Sequence, residues 1–156
     1  MLAPGDVAPE FEAPTSDGTM LRLSSLRGAP VVVYFFPKAS SMGCTRESLG
    51  FAGLFPSLAP HGVRVIGISV DDREHQTKFA TDCSLPFPLL ADPGKEIARR
   101  YGVLGAFGLA RRVTFVLDRD LRVTEVIDTI LPATHVEKVR RRLLPAPASP
   151  EGGTSR

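Results

Sequence analysis

The stretch Val31-Val32-Val33-Tyr34-Phe35-Phe36-Pro37-Lys38-Ala39-Ser40-Ser41-Met42-Gly43-Cys44-Thr45 reads as a strand, a turn and the start of a helix. Six consecutive apolar residues at 31–36, β-branched or aromatic, predict a buried strand. Pro37 ends it, and the small polar residues beyond make the turn. From about Cys44 to 58 the spacing of Leu49, Phe51, Ala52, Leu54 and Phe55 predicts a helix. One of only two cysteines in the chain therefore stands at a helix N-terminus. Unpaired backbone N–H groups and the positive end of the helix dipole favour an anion there. A thiol so placed ionises more readily, and the thiolate is its reactive form. The position suits a buried structural cysteine too, a common fate of this residue.

Outward from this stretch, 156 residues suit a single domain with a substantial core. The domain is expected over residues 1–144. Residues 145–156, Pro-, Ala-, Ser- and Gly-rich without apolar periodicity, are expected to form a disordered tail. A net charge of +2 gives no reason to expect nucleic acid as a partner. Arg140-Arg141-Arg142 ends an amphipathic helix and suits a solvated end that complements the dipole. No stretch reads as a membrane span or a secretory leader, so a cytosolic protein is expected. Stable disulfides are rare in that compartment, which leaves the two cysteines free, structural or redox-cycling. Neither has a second Cys or a His at ligand spacing, and His61, His75 and His135 are scattered; no metal or other cofactor is expected.

The first 28 or so residues carry short apolar pieces at Phe11 and Leu21-Arg22-Leu23 around the turn signal Ser16-Asp17-Gly18, which predicts a β-hairpin. Val63 to Val70 forms a second strand, apolar enough for mid-sheet. Asp71-Asp72 can cap a helix that runs to about Cys83 and must stop before Pro86. A short Leu89-Leu90 segment, a helix at about 93–100, strands at 113–117 and 122–128 joined at Asp118-Arg119-Asp120, and a helix at about 133–143 complete the chain. There is no internal repeat. The order implies an α/β, thioredoxin-like fold: a central mixed β-sheet flanked by helices, preceded by the hairpin. Sites in open α/β sheets form at the carboxyl ends of strands, and Cys44 lies just beyond one.

The order Pro37-x-x-x-Ser41-x-x-Cys44 after an apolar strand resembles the active-site motif of peroxiredoxins. The flanking Tyr34-Phe35-Phe36-Pro37-Lys38-Ala39 and Gly43-Cys44-Thr45-Arg46-Glu47 are most similar to the peroxiredoxin Q branch, also called bacterioferritin comigratory protein. Further matching blocks are Gly5-Asp6-x-Ala8-Pro9-x-Phe11, Val65 to Ser69, Leu85 to Asp92 and Arg112 to Asp118, so the likeness covers nearly the whole domain. It implies a thioredoxin fold and cysteine-based reduction of hydrogen peroxide and organic hydroperoxides. Two departures stand out. Ser41 and Met42 occupy positions where the family commonly has Thr and Pro, and Leu49 occupies the position where many relatives carry a second Cys.

By this resemblance Cys44 is the peroxidatic residue, attacking the terminal peroxide oxygen to give a sulfenic acid. Ionisation alone is too small a contribution. Lowering a thiol from pKa about 8.5 to about 6 gains roughly 30-fold in thiolate at pH 7, about 2 kcal/mol. The larger share must come from donors that orient the peroxide and stabilise charge on the leaving oxygen. The candidates are Ser41 Oγ, backbone N–H groups near Gly43 and Cys44, and a guanidinium that the resemblance assigns to Arg112. Arg111 is the competing neighbour, since adjacent strand residues face opposite ways. Pro37 would shield the thiolate.

Cys83 has two readings: a resolving thiol that closes a Cys44–Cys83 disulfide, later reduced by thioredoxin or a similar dithiol, or a core residue beside Phe79 and Ala80. With no resolving role, the enzyme would use one cysteine and an external thiol. Glu47 can position a proton-carrying water or merely complement the helix dipole. Gly102-x-x-Gly105-x-x-Gly108 has the wrong spacing for a dinucleotide loop. A disulfide exchanger would usually carry Cys-x-x-Cys, but position 47 is Glu. A non-catalytic redox sensor would have little need of Arg112 and Ser41 together. The resemblance favours a monomer.

Overall fold

In the computed structural model, which describes residues 1–145, the 31–36 run forms the central strand of a five-stranded sheet. The elements are β1 (Glu12–Pro14), β2 (Met20–Arg22), β3 (Val31–Phe35), α1 (Met42–Leu58), β4 (Arg64–Ser69), α2 (Arg73–Asp82), β5 (Leu89–Ala91), α3 (Glu96–Tyr101), β6 (Val113–Leu117), β7 (Val123–Asp128) and α4 (Pro132–Leu143). The sheet order is β5-β4-β3-β6-β7; β3, β4 and β5 are parallel, β6 runs antiparallel to β3, and β7, antiparallel to β6, returns to the direction of β3. β1 and β2 pair as a separate antiparallel hairpin. This is the α/β architecture expected. Of the tail expected over 145–156, all but Pro145 lies outside the described residues.

The unbroken apolar run of β3 follows from its position, because each face of the sheet closes a different core. Val31, Val33 and Phe35 point to one side, with Phe11, Leu23, Ile97, Tyr101 and Phe115. Val32, Tyr34 and Phe36 point to the other, with Phe51 of α1, Phe79 of α2 and Val139 of α4. All six β3-run side chains are fully buried, and burial on both faces removes any reason for alternation.

β7 departs from the simple alternation of its sequence. Phe115 pairs with Val126 and Val116 with Glu125, but Leu117 pairs with Val123, so a bulge falls at Thr124. Val123 and Ile127 are four apart yet face opposite cores. The extra residue shifts the period.

The third helix starts later than the 93–100 expected. Pro93 and Gly94 turn, Lys95 takes a left-handed conformation (φ 61°), and α3 begins at Glu96. Asp92 serves its N-terminus from outside, accepting hydrogen bonds from Ile97 N (3.2 Å) and Ala98 N (2.9 Å). No helix among the described residues is long and apolar enough to cross a membrane.

Candidate active site

α1 starts two residues before Cys44, not at it. Ser41 is the N-cap, in extended conformation, and its Oγ accepts a hydrogen bond from Cys44 N at 3.4 Å. Cys44 is therefore the third helical residue, still within the first turn, and it is fully buried. The Ser41 hydroxyl accepts one bond and keeps its own hydrogen to donate. The loop before it is held from β4: Asp71 Oδ2 accepts from Ala39 N (2.7 Å) and from Ser69 Oγ (2.6 Å). Of the Asp71-Asp72 pair, only Asp72 caps α2, through His75 N at 2.9 Å. Asp71 turns instead to the cysteine loop.

Arg112 reaches the site because β6 runs against β3. Phe35, at the C-terminal end of β3, pairs with Val113, at the N-terminal end of β6. The residue before Val113 thus lies beside the loop that follows β3. Arg112 Nη2 donates to Cys44 Sγ at 3.4 Å, and Nη1 donates to Glu47 Oε1 at 2.7 Å. Arg111 pairs with Asp128 and not with Cys44 or Glu47: its Nη2 donates to both carboxylate oxygens, at 2.8 and 2.7 Å. Gly43 makes room for the guanidinium, since a Cβ at that position would sit 3.0 Å from Arg112 Nη2.

Behind the guanidinium lies a buried polar group that sequence reasoning missed in part. Glu47 is fully buried, its Oε2 has no hydrogen-bond partner, and it faces His135 Nδ1 of α4 at 3.5 Å. Burial pushes the Glu47 carboxyl up to about 7, with the Arg112 charge and hydrogen bond restraining the rise. His135 is also fully buried; its Nδ1 lies 2.7 Å from Thr114 Oγ1 and its Nε2 2.7 Å from the Thr129 carbonyl. Burial pushes the His135 imidazole toward its neutral form. A signal for His135 was available: it stands four residues before Val139, on the one apolar stripe of a polar helix.

Pro37, Arg111, Arg112, Asp128, Thr129 and Ile130 line an open cleft of about 470 Å³ beside the guanidinium. Cys83 is free, as is Cys44, and caps the C-terminal end of α2. It is half-buried against the same aromatic core, and burial together with the Asp82 charge pushes its thiol up. The structure thus joins Cys44, Ser41 and Arg112 directly, sets Pro37 at the rim, and leaves Cys83 apart from their hydrogen bonds. Among the described residues no group of three or more His, Cys, Asp or Glu could hold a metal ion.

Residues 4–126 match the AhpC/TSA family. The chain belongs to that family. Within it, the chain is similar to peroxiredoxin Bcp of Escherichia coli K12, 34% identical over 145 residues that cover 88% of this chain and 93% of that protein. The crystal structure of peroxidoxin BcpB from Mycobacterium tuberculosis superposes with a TM-score of 0.85 at 36% identity, covering 92% and 97% of the two chains. Xanthomonas campestris bacterioferritin comigratory protein, described for alkyl peroxide reduction, gives a TM-score of 0.80 at 28% identity over 85% and 89%. The thioredoxin fold, the peroxiredoxin Q branch and thiol peroxidase activity follow from these matches.

Proposed function

We propose that Cys44 is the peroxidatic residue of this peroxidase and that Arg112 activates both the thiol and the peroxide. The observation that carries the reading is the Arg112 guanidinium donating at 3.4 Å to the Sγ of Cys44, which stands in the first turn of α1. The thiolate attacks the terminal oxygen of R–O–OH; the O–O bond breaks, the sulfur becomes Cys44–S–OH, and RO⁻ takes up a proton to leave as ROH. The forked donors of arginine suit both the sulfur and the peroxide oxygens. Ser41 Oγ–H and the N–H groups of the first turn stabilise charge on the leaving oxygen. Pro37 and the apolar Ile130 shape the rim, which fits organic hydroperoxides as well as hydrogen peroxide.

Cys83 then attacks the sulfenic acid, releasing water and closing a Cys44–Cys83 disulfide, which thioredoxin or a similar dithiol reduces. The two thiols differ in a way that suits this division. Burial and Asp82 keep Cys83 protonated, which spares it from peroxide itself. We place the enzyme in the cytosol as a monomer. Peroxide consumption with thioredoxin and its reductase tests the reading: Cys44→Ser is expected to abolish turnover. Cys83→Ser is expected to lose turnover with thioredoxin while keeping one equivalent of peroxide consumed per thiol. A Cys44→Ser variant that turns over peroxide, or peptide mapping that finds no Cys44–Cys83 cross-link after one equivalent, would overturn the corresponding step.

A further inference from the structure

Two acids in this site share one cation. Arg112 donates to Glu47 Oε1 at 2.7 Å and to Cys44 Sγ at 3.4 Å, and both acidic side chains are fully buried. Ionising both would set two fully buried anions against one positive charge, where like charges repel strongly and one acid keeps its proton. The geometry around Glu47 Oε2 indicates which one.

The Thr129 carbonyl can only accept, so His135 Nε2, 2.7 Å from it, carries the hydrogen. In the neutral imidazole, Nδ1 then holds a lone pair, and it takes a hydrogen bond from Thr114 Oγ1 at 2.7 Å. Glu47 Oε2 faces that same Nδ1 at 3.5 Å and has no donor. A carboxylate oxygen placed there would bear charge with no donor, opposed by the lone pair that Thr114 engages, and protonation of Oε2 removes that charge.

We propose that Glu47 holds the proton that Cys44 gives up: the two acids carry a single proton between them, seated on Glu47 Oε2 against His135 Nδ1, while Arg112 neutralises the thiolate. In this exchange the S–H bond breaks with its electron pair left on sulfur, an O–H bond forms on Glu47, and the net charge of the site is unchanged. Glu47 and His135 are thus positioning residues that act on the sulfur through Arg112. The inference rests on the reading of Cys44 as the reactive thiolate.

The other groups around the pair agree with it. Tyr34 on β3, hydrogen-bonded to Ser48 Oγ at 2.8 Å, is driven well above the ordinary phenol range by burial and stays neutral. Asp128 on β7 and Lys138 on α4 act on His135 in opposite senses, and burial with Arg112 keeps it neutral. Burial leaves Glu47 titrating at about 7, within reach of such an exchange.

The test is infrared titration of the reduced full-length protein, following the carboxylic-acid C=O band that disappears in Glu47→Gln. The band is expected in wild type at pH 7. In Cys44→Ser, with no thiolate competing for Arg112, its midpoint is expected to fall by at least one pH unit, about a tenfold change in the protonation constant. Cys44→Ala is expected to repeat the shift. Ring-nitrogen NMR is expected to show neutral His135 with hydrogen on Nε2. Absence of the band at pH 7, an unchanged midpoint in both Cys44 variants, or a His135 imidazolium would overturn the proposal. A wild type with the coupled titration but no peroxide turnover would overturn the peroxidase reading alone. Turnover with uncoupled titration would overturn only the proton sharing.

Discussion

Glu47→Gln is expected to change the pH dependence of folding stability, by an amount that the site itself sets. A carboxyl ordinarily near 4.5 is pushed up to about 7 here by burial, against the pull of Arg112. Between those values the folded protein holds a proton that the unfolded chain has already released, so stability falls as pH rises. The stabilisation is complete below 4.5 and is lost as pH climbs through about 7; at about 1.4 kcal/mol per pH unit the loss reaches about 3 kcal/mol. That is a large share of the roughly 5–15 kcal/mol that holds a domain of this size folded. Glutamine mimics the protonated acid: its oxygen can accept from Arg112 Nη1, its neutral amide faces His135 Nδ1 without a charge to bury, and it does not titrate. Urea unfolding of the reduced proteins at intervals from pH 4.5 to 8.5 reads the difference directly. The variant is expected to gain on wild type by about 3 kcal/mol over the lower part of that range and to hold level above pH 8. In a Cys44→Ser background the gain is expected to shrink, because Arg112 then serves Glu47 alone. A wild-type-minus-variant difference that stays flat across pH would refute the reasoning.

Arg112→Lys keeps the charge but cannot reach Sγ and Glu47 in the same forked geometry. Loss of a charge-assisted hydrogen bond of about 1.5–3 kcal/mol predicts a roughly 10- to 150-fold fall in kcat/KM for peroxide, and a fall under threefold would contradict the shared-guanidinium reading. Gly43→Ala should raise helix propensity by up to about 1 kcal/mol yet push against Arg112 Nη2, which a Cβ would meet at 3.0 Å. An unchanged or higher melting temperature with at least tenfold lower kcat/KM is the expected combination. Asp71→Ala removes the acceptor of Ala39 N and Ser69 Oγ and should cost about 1–3 kcal/mol, with faster amide exchange over residues 38–41 as the local signature.

Reading the fold from the chain worked where a single segment carries its own reason. The apolar 31–36 run must be buried on both faces wherever it sits, and the hairpin declares itself through its turn. Strand parity required that only one of Arg111 and Arg112 point inward, and the resemblance to peroxiredoxins named Arg112. Boundaries set from elsewhere were not legible. The late start of α3 depends on Asp92 reaching forward to Ile97 and Ala98. The bulge in β7 is invisible in a sequence whose Val123 and Ile127 look like one face. His135 was passed over because its partners, Glu47 and Thr114, come from α1 and β6, and only the packing of α4 on α1 brings them together.

The direction of β6 decides what kind of site this fold can make. In a wholly parallel sheet, the edge beyond the C-terminal end of β3 collects only loops that follow strands. Here β6 runs backwards, so the residue that precedes it, Arg112, arrives at the same edge as the loops after β3 and β4. β7 returns in the original sense, and its last residue, Asp128, pairs with Val113 there. Four loops therefore meet at one edge. One carries the thiol, the next tethers its backbone through Asp71, the third supplies the cation, and the fourth offers the Thr129 carbonyl that fixes the tautomer of His135. None of the last three is near Cys44 in sequence. On the proposed reading the reactivity of Cys44 is consequently a property of the sheet's topology: a one-residue shift in the register of β6 would bring Arg111 into the place of Arg112 and turn every side chain from Val113 to Leu117 to the opposite face of the sheet.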